Sequence, residues 1–103
     1  MADHIWTGLI EVHPMNGVDP FDGAPGAYVY AAAEASDAKR FAERVRLAAH
    51  ALGVRVVEIE DPSPALARGI RALTSDQRRL ISDARESSEV VWGTFHAYEN
   101  END

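Results

Sequence analysis

AYVYAAAEASDAKRFAERVRLAAHALGVRVVEI, residues 27–59, places a strand, a helix and a second strand in immediate succession. Tyrosines alternate with small apolar residues over 27–33, a period of two residues that predicts a strand. Between Ser36, a candidate N-cap, and Gly53, a candidate C-terminal glycine, apolar residues recur at helical spacing. Residues 54–59, rich in Val and Ile, are then predicted to form the next strand. This βαβ unit predicts that its two strands run parallel, joined by a right-handed crossover.

The segments on either side of this unit supply further strands and helices. Residues 5–13 alternate with apolar residues on both faces, which predicts a central strand, and 14–26 form a long loop rich in Gly and Pro. Two short helices are predicted over 63–73 and 74–87, the second starting with a Thr-x-x-Gln capping box, and a last strand over 90–98. The order β-β-α-β-α-α-β predicts an α/β chain of the α+β two-layer type. Its mixed four-stranded sheet would have the helices packed on one face, ferredoxin-like in general architecture.

Length and composition limit the class of protein. The 103 residues are predicted to form a single domain, 1–103. The absence of cysteine excludes disulfides, thiolate metal sites and cysteine nucleophiles. No apolar run approaches the ~20 residues of a membrane span, and no signal-peptide pattern begins the chain. Nine Arg to one Lys, with abundant Ala, hint at a GC-rich bacterial genome. A cytoplasmic location without a membrane partner is therefore expected.

Charge sign follows position along the chain. The net charge is −7, yet residues 38–52 carry four basic side chains and one acidic one. Residues 1–37 carry six acidic side chains and 89–103 carry four, in both cases without Lys or Arg. Since the basic segment is a predicted helix, the sequence predicts basic helix exteriors and an acidic sheet, loop and tail, the tail being 99–103.

The Ser, Thr, His and Glu residues that could act in catalysis or metal binding are better explained by structural roles. Ser36, Ser63 and Thr74 all stand at predicted helix starts, where a hydroxyl caps the backbone. The four histidines lack the H-x-H, H-x-x-x-H and HExxH spacings of metal sites. Glu58 and Glu60 share a strand face, a spacing typical of a solvated strand. No catalytic residue, metal site or cofactor is therefore predicted.

Nucleic acid is also an unsuitable partner. Recognition of single strands by a sheet needs aromatic side chains on a basic surface. The aromatic residues here fall on acidic strands, which would repel phosphates. The basic helix surface is ordinary for an Ala-rich helix, so no nucleic-acid binding is predicted.

The aromatic residues of the strands form the candidate binding surface. Trp and Tyr are enriched at the energetic centres of protein interfaces. The candidate residues are Trp6, Tyr28, Tyr30, Trp92, His96 and Tyr98, with Asp19 and Asp22 from the long loop. In the last strand, Trp92, Thr94, His96 and Tyr98 are predicted to share one face. Trp92 is either an exposed anchor of this surface or a core residue.

Two functions fit these features. The first is a small, acidic, non-catalytic protein-binding domain whose partner is a basic protein or a second copy of the chain. Compact acidic chains of this kind are typical of immunity proteins and other toxin or enzyme inhibitors. The alternative is a homodimeric α/β domain that binds or transforms a small molecule. Its pocket would be lined by His13, Trp92, His96 and Tyr98, with the 14–26 loop as a lid. An exposed aromatic surface favours the first function and an enclosed pocket the second.

Overall fold

A computed structural model describes residues 4–15, 17, 21, 23–65 and 74–98. Its elements are β1 (His4–Pro14), β2 (Gly26–Ala35), α1 (Ala38–Ala51), β3 (Val54–Pro64), α2 (Ser75–Ser87), β4 (Val91–Trp92) and β5 (His96–Tyr98). Neither of the two described helices is long and apolar enough to cross a membrane. The predicted acidic tail, 99–103, and residues 16, 18–20 and 22 of the predicted 14–26 loop lie outside the described residues.

The sheet has the order β3-β1-β2, with β4 and β5 following one another along the far side of β2. All its pairs are antiparallel. The predicted α+β architecture, a sheet with helices packed against it, is confirmed, but the mixed sheet is wrong. β2 and β3 do run in the same direction, as a βαβ unit requires, yet they are not neighbours, because β1 lies between them and pairs with both.

The main core lies between the sheet and α1. Ile10 of β1, Val29 of β2 and Phe41 and Val45 of α1 are all fully buried there. Gly8 permits the close approach of the helix, since a Cβ atom at this position would lie 3.1 Å from Cε2 of Phe41. The alternation seen in the sequence therefore places the apolar side of β1 and β2 against the apolar stripe of α1.

The second helix contacts the opposite face of the sheet. Leu80 and Ala84 of α2 form a separate buried cluster with Ile5 of β1 and Ala32 of β2. The prediction that the helices share one face is therefore wrong. The reason lies in the three consecutive alanines 31–33, all fully buried, which present a small side chain to each face in turn. A helix can approach such a strand closely from either side.

The helix ends follow local capping chemistry. Asp37 caps α1 by accepting a hydrogen bond from the Arg40 amide at 2.8 Å, so the cap lies one residue after the predicted Ser36. Gly53 adopts a φ of 85° just beyond the helix, as predicted. The capping box of Thr74 and Gln77 is confirmed by reciprocal bonds of 3.1 and 3.0 Å.

β3 is longer than the sequence suggests. It continues through a β-bulge at Asp61, whose φ is 45°, and ends at Pro64. Ser63 pairs with Thr7 of β1, so the predicted helix start at Ser63 is wrong. The remainder of that predicted helix, 66–73, lies outside the described residues.

The predicted last strand is divided into β4 and β5. Trp92 pairs with Ala31, whereas His96 pairs with Tyr28. The three residues 93–95 thus lie opposite two residues of β2, which is a β-bulge of one extra residue. Because side chains alternate with a period of two, the extra residue reverses which face is occupied. Trp92 consequently lies on the α1 side of the sheet and His96 on the opposite side.

Candidate functional site

The part of the sheet face that α2 leaves uncovered presents aromatic and acidic side chains in adjacent rows. In one row Glu58 pairs with Glu11 and Glu11 with Tyr28. In the next row Glu60 pairs with Leu9 and Leu9 with Tyr30. We define the open face as these six residues: Leu9, Glu11, Tyr28, Tyr30, Glu58 and Glu60. Tyr28 and Tyr30 are 37% and 38% exposed, so both rings are available to a partner.

The open face carries a concentrated negative charge. Glu11 lies directly opposite Glu58 across the strand pair, an arrangement that is unfavourable for like charges. This negative charge raises the pKa of Tyr28. The largest cause is the charge of Glu11, followed by burial and by the charges of Glu60 and Glu58. The nearest basic residue on β3 is Arg55, which pairs with His13 of β1 in the adjoining row. The open face is therefore suited to contact a cationic surface.

A hydrogen-bonded cluster closes one end of the open face. The Tyr98 hydroxyl donates to Oε2 of Glu11 at 2.7 Å, and Nε2 of His13 lies 2.8 Å from the same hydroxyl oxygen. Because the phenolic proton goes to Glu11, Nε2 of His13 is the donor in the second bond. Gly26 makes the cluster possible, since a Cβ there would collide with the Tyr98 hydroxyl and lie 2.7 Å from Cδ2 of His13. The cluster ties β5 to β1 across β2.

The phenol of Tyr98 stays protonated over the usual range of pH. Burial, the hydrogen bond to Glu11 and the charge of Glu11 together raise its pKa from 10.0 to about 12. A folded-state pKa above the unfolded value means that the group stabilises the fold fully below about pH 10 and that this contribution is lost as pH rises through about 12. At neutral pH the three side chains satisfy one another, which suits a structural clamp.

Tyr98→Phe is expected to lower the free energy of unfolding by about 1 kcal/mol at neutral pH, because Glu11 and His13 lose their shared partner. The difference from the wild type should shrink as the pH is raised from about 10 towards 12, where the wild-type phenol ionises. Urea unfolding at several pH values measures both effects. Tyr30→Phe is the matched control, since it removes a hydroxyl from an exposed tyrosine, and should change stability by less than about 0.5 kcal/mol. An unchanged difference between the wild type and Tyr98→Phe at alkaline pH would contradict the clamp.

A cleft lies beside the open face, between α2 and the segment that contains β4 and β5. Its volume is about 600 Å³. Asp76, Arg79 and Asp83 of α2 line one wall, and Leu80 closes the floor. The other wall includes Tyr30, Trp92, Gly93, Thr94 and His96. Tyr30 belongs both to this wall and to the open face, so the two surfaces are continuous.

The structure separates the predicted binding residues into two groups. One group lies on the same side of the sheet as the open face and consists of Tyr28, Tyr30, His96 and Tyr98. The rings of Tyr28 and Tyr98 are in contact there, with centroids 5.3 Å apart. Trp6 and Trp92 instead pack, partly buried, against the core on the α1 side. The Trp92 ring also stacks on Phe95 at 5.9 Å.

The remaining candidates do not come together in one pocket. Asp19 and Asp22 lie outside the described residues. Of the four residues proposed to line a small-molecule pocket, Trp92 and His96 border the cleft. His13 and Tyr98 are bonded to each other at the far end of the open face. In the described parts of the chain, no group of three or more His, Asp or Glu side chains is placed to hold a metal ion.

Two sets of charged residues were missed by sequence reasoning. Glu11 was overlooked because its closeness to Glu58 depends on the β1–β3 register, which the sequence does not specify. Asp76, Arg79 and Asp83 lie three and four residues apart, which places them on one side of a helix. That spacing was the signal in the sequence that could have identified them as a charged surface. No family model, curated protein or solved structure matches this chain.

Proposed function

We propose that this chain is a small, acidic, non-catalytic protein-binding domain that holds a basic partner on the open face. The observation that carries the proposal is the pair of half-exposed tyrosines, Tyr28 and Tyr30, set in rows with three carboxylates on an uncovered sheet face. Tyrosine supplies contact area with little loss of side-chain freedom, and a complementary charge accelerates encounter with a cationic partner. Inhibition of a toxin or enzyme, as by immunity proteins, is the kind of function that such a surface serves.

A foreign basic partner suits the open face better than a second copy of the chain. In a face-to-face dimer, the carboxylates of Glu11, Glu58 and Glu60 would meet their own counterparts, and like charges at an interface cost several kcal/mol. A basic surface would instead relieve the repulsion already present between Glu11 and Glu58. The charge of the open face therefore favours hetero-association.

A second candidate function is the binding of a small molecule in the cleft. One observation favours it: the cleft volume of about 600 Å³ falls within the usual range for ligand sites. Trp92 and His96 of the predicted pocket residues border this cleft. In this alternative the chain acts as a homodimer, and partner capture fails.

The primary test is partner capture from a lysate of the encoding organism, with immobilised wild type compared with two charge variants. Glu58→Gln with Glu60→Gln removes two charges from the open face, whereas Glu43→Gln with Glu86→Gln removes two exposed charges from the helices. We expect a stoichiometric basic protein to bind the wild type and the helix variant. The rate constant for association of this protein with the open-face variant should be lower by about fivefold or more than with the wild type. Capture by the wild type should weaken as the salt concentration is raised.

Two results would contradict the proposal. Equal binding of the partner by both double variants would show that the carboxylates of the open face take no part. A homodimer by light scattering, with no partner recovered at any salt concentration, would favour the small-molecule alternative.

A further inference from the structure

The cleft beside the open face has the geometry of an anchor pocket. Arg79 and Leu80 lie three and four residues after Asp76, and Asp83 lies four and three residues after them, so all four residues lie along one side of α2. Leu80, 8% exposed, forms an apolar floor. Gly93 brings the β4–β5 segment close to this floor, because a Cβ at that position would lie 3.3 Å from Cδ1 of Leu80. The recess is thus narrow at its base and polar at its rim.

The charges on the helical wall are available to a ligand. Asp76 and Asp83 lie two helical turns apart, about 10 Å along the axis, with Arg79 roughly one turn from each. Asp76, Arg79 and Asp83 form no ion pair with another described residue, since the ion pair among the described residues joins His13 to Glu11. Two carboxylates against one guanidinium leave the wall negative, which favours a cation in the recess.

We propose that the cleft receives an arginine side chain of the basic partner that docks on the open face. This inference rests on the proposed function, because the cleft and the open face share Tyr30 and a partner covering one would reach the other. The planar guanidinium can stack on the Tyr30 ring while donating to Asp76 or Asp83. It is also more weakly hydrated than an ammonium group, so arginine suits a recess with an apolar floor better than lysine.

The test is a titration of N-acetyl-arginine amide into the isotope-labelled full chain, followed by amide chemical shifts. We expect saturable shifts for Gly93, Thr94 and the neighbouring residues of α2. N-acetyl-citrulline amide, which is neutral and of the same shape, should produce no saturable shifts, and the lysine derivative should bind at least about threefold more weakly.

Three variants make the test specific to the wall of the cleft. Asp76→Asn with Asp83→Asn should raise the Kd for the arginine derivative by about tenfold. Glu43→Gln with Glu86→Gln, the same charge change away from the cleft, should leave the Kd within about twofold. Arg79→Gln should lower the Kd by about twofold or more, because it removes the cation that repels the guanidinium. The amide spectrum of each free variant establishes that it is folded.

The possible failures are distinguishable. Equal binding of the citrulline derivative, or weaker binding by Arg79→Gln, would overturn the inference, the latter by showing that the cleft binds an anionic group. Shifts confined to the open face and abolished by Glu58→Gln with Glu60→Gln would overturn the inference while leaving the proposed function intact. Arginine binding in the cleft without any basic partner in the capture experiment would support the cleft as a guanidinium site and overturn the proposed function.

Discussion

Phe41→Ala is expected to lower the free energy of unfolding by about 3–5 kcal/mol, because it removes a fully buried aromatic ring and leaves a cavity. Phe41 lies at the centre of the core between α1 and the sheet, and its ring touches the position of Gly8 on β1. Gly8 has no side chain that could move into the cavity left by the ring, so the cavity would stay largely unfilled. Urea unfolding monitored by circular dichroism measures the loss.

The matched control for Phe41 is Leu47→Ala on the same helix. Leu47 is 76% exposed, so its truncation should change stability by less than about 0.5 kcal/mol. Similar losses for the two variants would mean that the core does not lie between α1 and the sheet. The comparison therefore tests which side of α1 packs against the sheet.

Tyr30→Ala is expected to weaken binding of the captured partner by about 2 kcal/mol or more, which is roughly a thirtyfold increase in Kd. Tyr30 is 38% exposed and belongs to both the open face and the wall of the cleft, so its ring would contact the partner and its inserted arginine. Calorimetric titration of the purified partner measures the change. The effect on folding should be much smaller, since the ring is not part of either buried cluster.

Two controls separate the ring of Tyr30 from general apolar contact. Tyr30→Phe keeps the ring and should retain most of the affinity. Leu52→Ala truncates another exposed apolar side chain, 48% exposed, beyond the end of α1 and should leave Kd unchanged. An unchanged Kd for Tyr30→Ala would remove Tyr30 from the interface and with it the link between the open face and the cleft.

Local features of the fold were predictable from the sequence. The period of two residues identified β1 and β2, and the Thr-x-x-Gln pattern identified the start of α2. These features depend on near neighbours in the chain, and the structure confirms them. Strand order was not predictable, because the alternation in β2 and β3 is equally compatible with their pairing directly or through β1.

The candidate site was predictable only in part, for a similar reason. Tyr28 and Tyr30 share a face because they are two residues apart on an uninterrupted strand. Trp92 and His96 would share a face on a regular strand, but the extra residue in 93–95 reverses the alternation between them. A bulge of this kind has no clear signal in the sequence, and the contribution of α2 to the cleft required knowing which face it covers.

The irregularities of β3 determine how this sheet can be approached. Among the described strands β3 lies at the edge, and its register with β1 shifts twice, the second time at the bulge around Asp61. Bulges and charged side chains on an edge disrupt the even ladder of backbone groups that an added strand would need. β-augmentation and edge-to-edge polymerisation are thereby disfavoured at this border, although it is eleven residues long. At this border, recognition through side chains is favoured over shared backbone hydrogen bonding, and it is the more selective of the two.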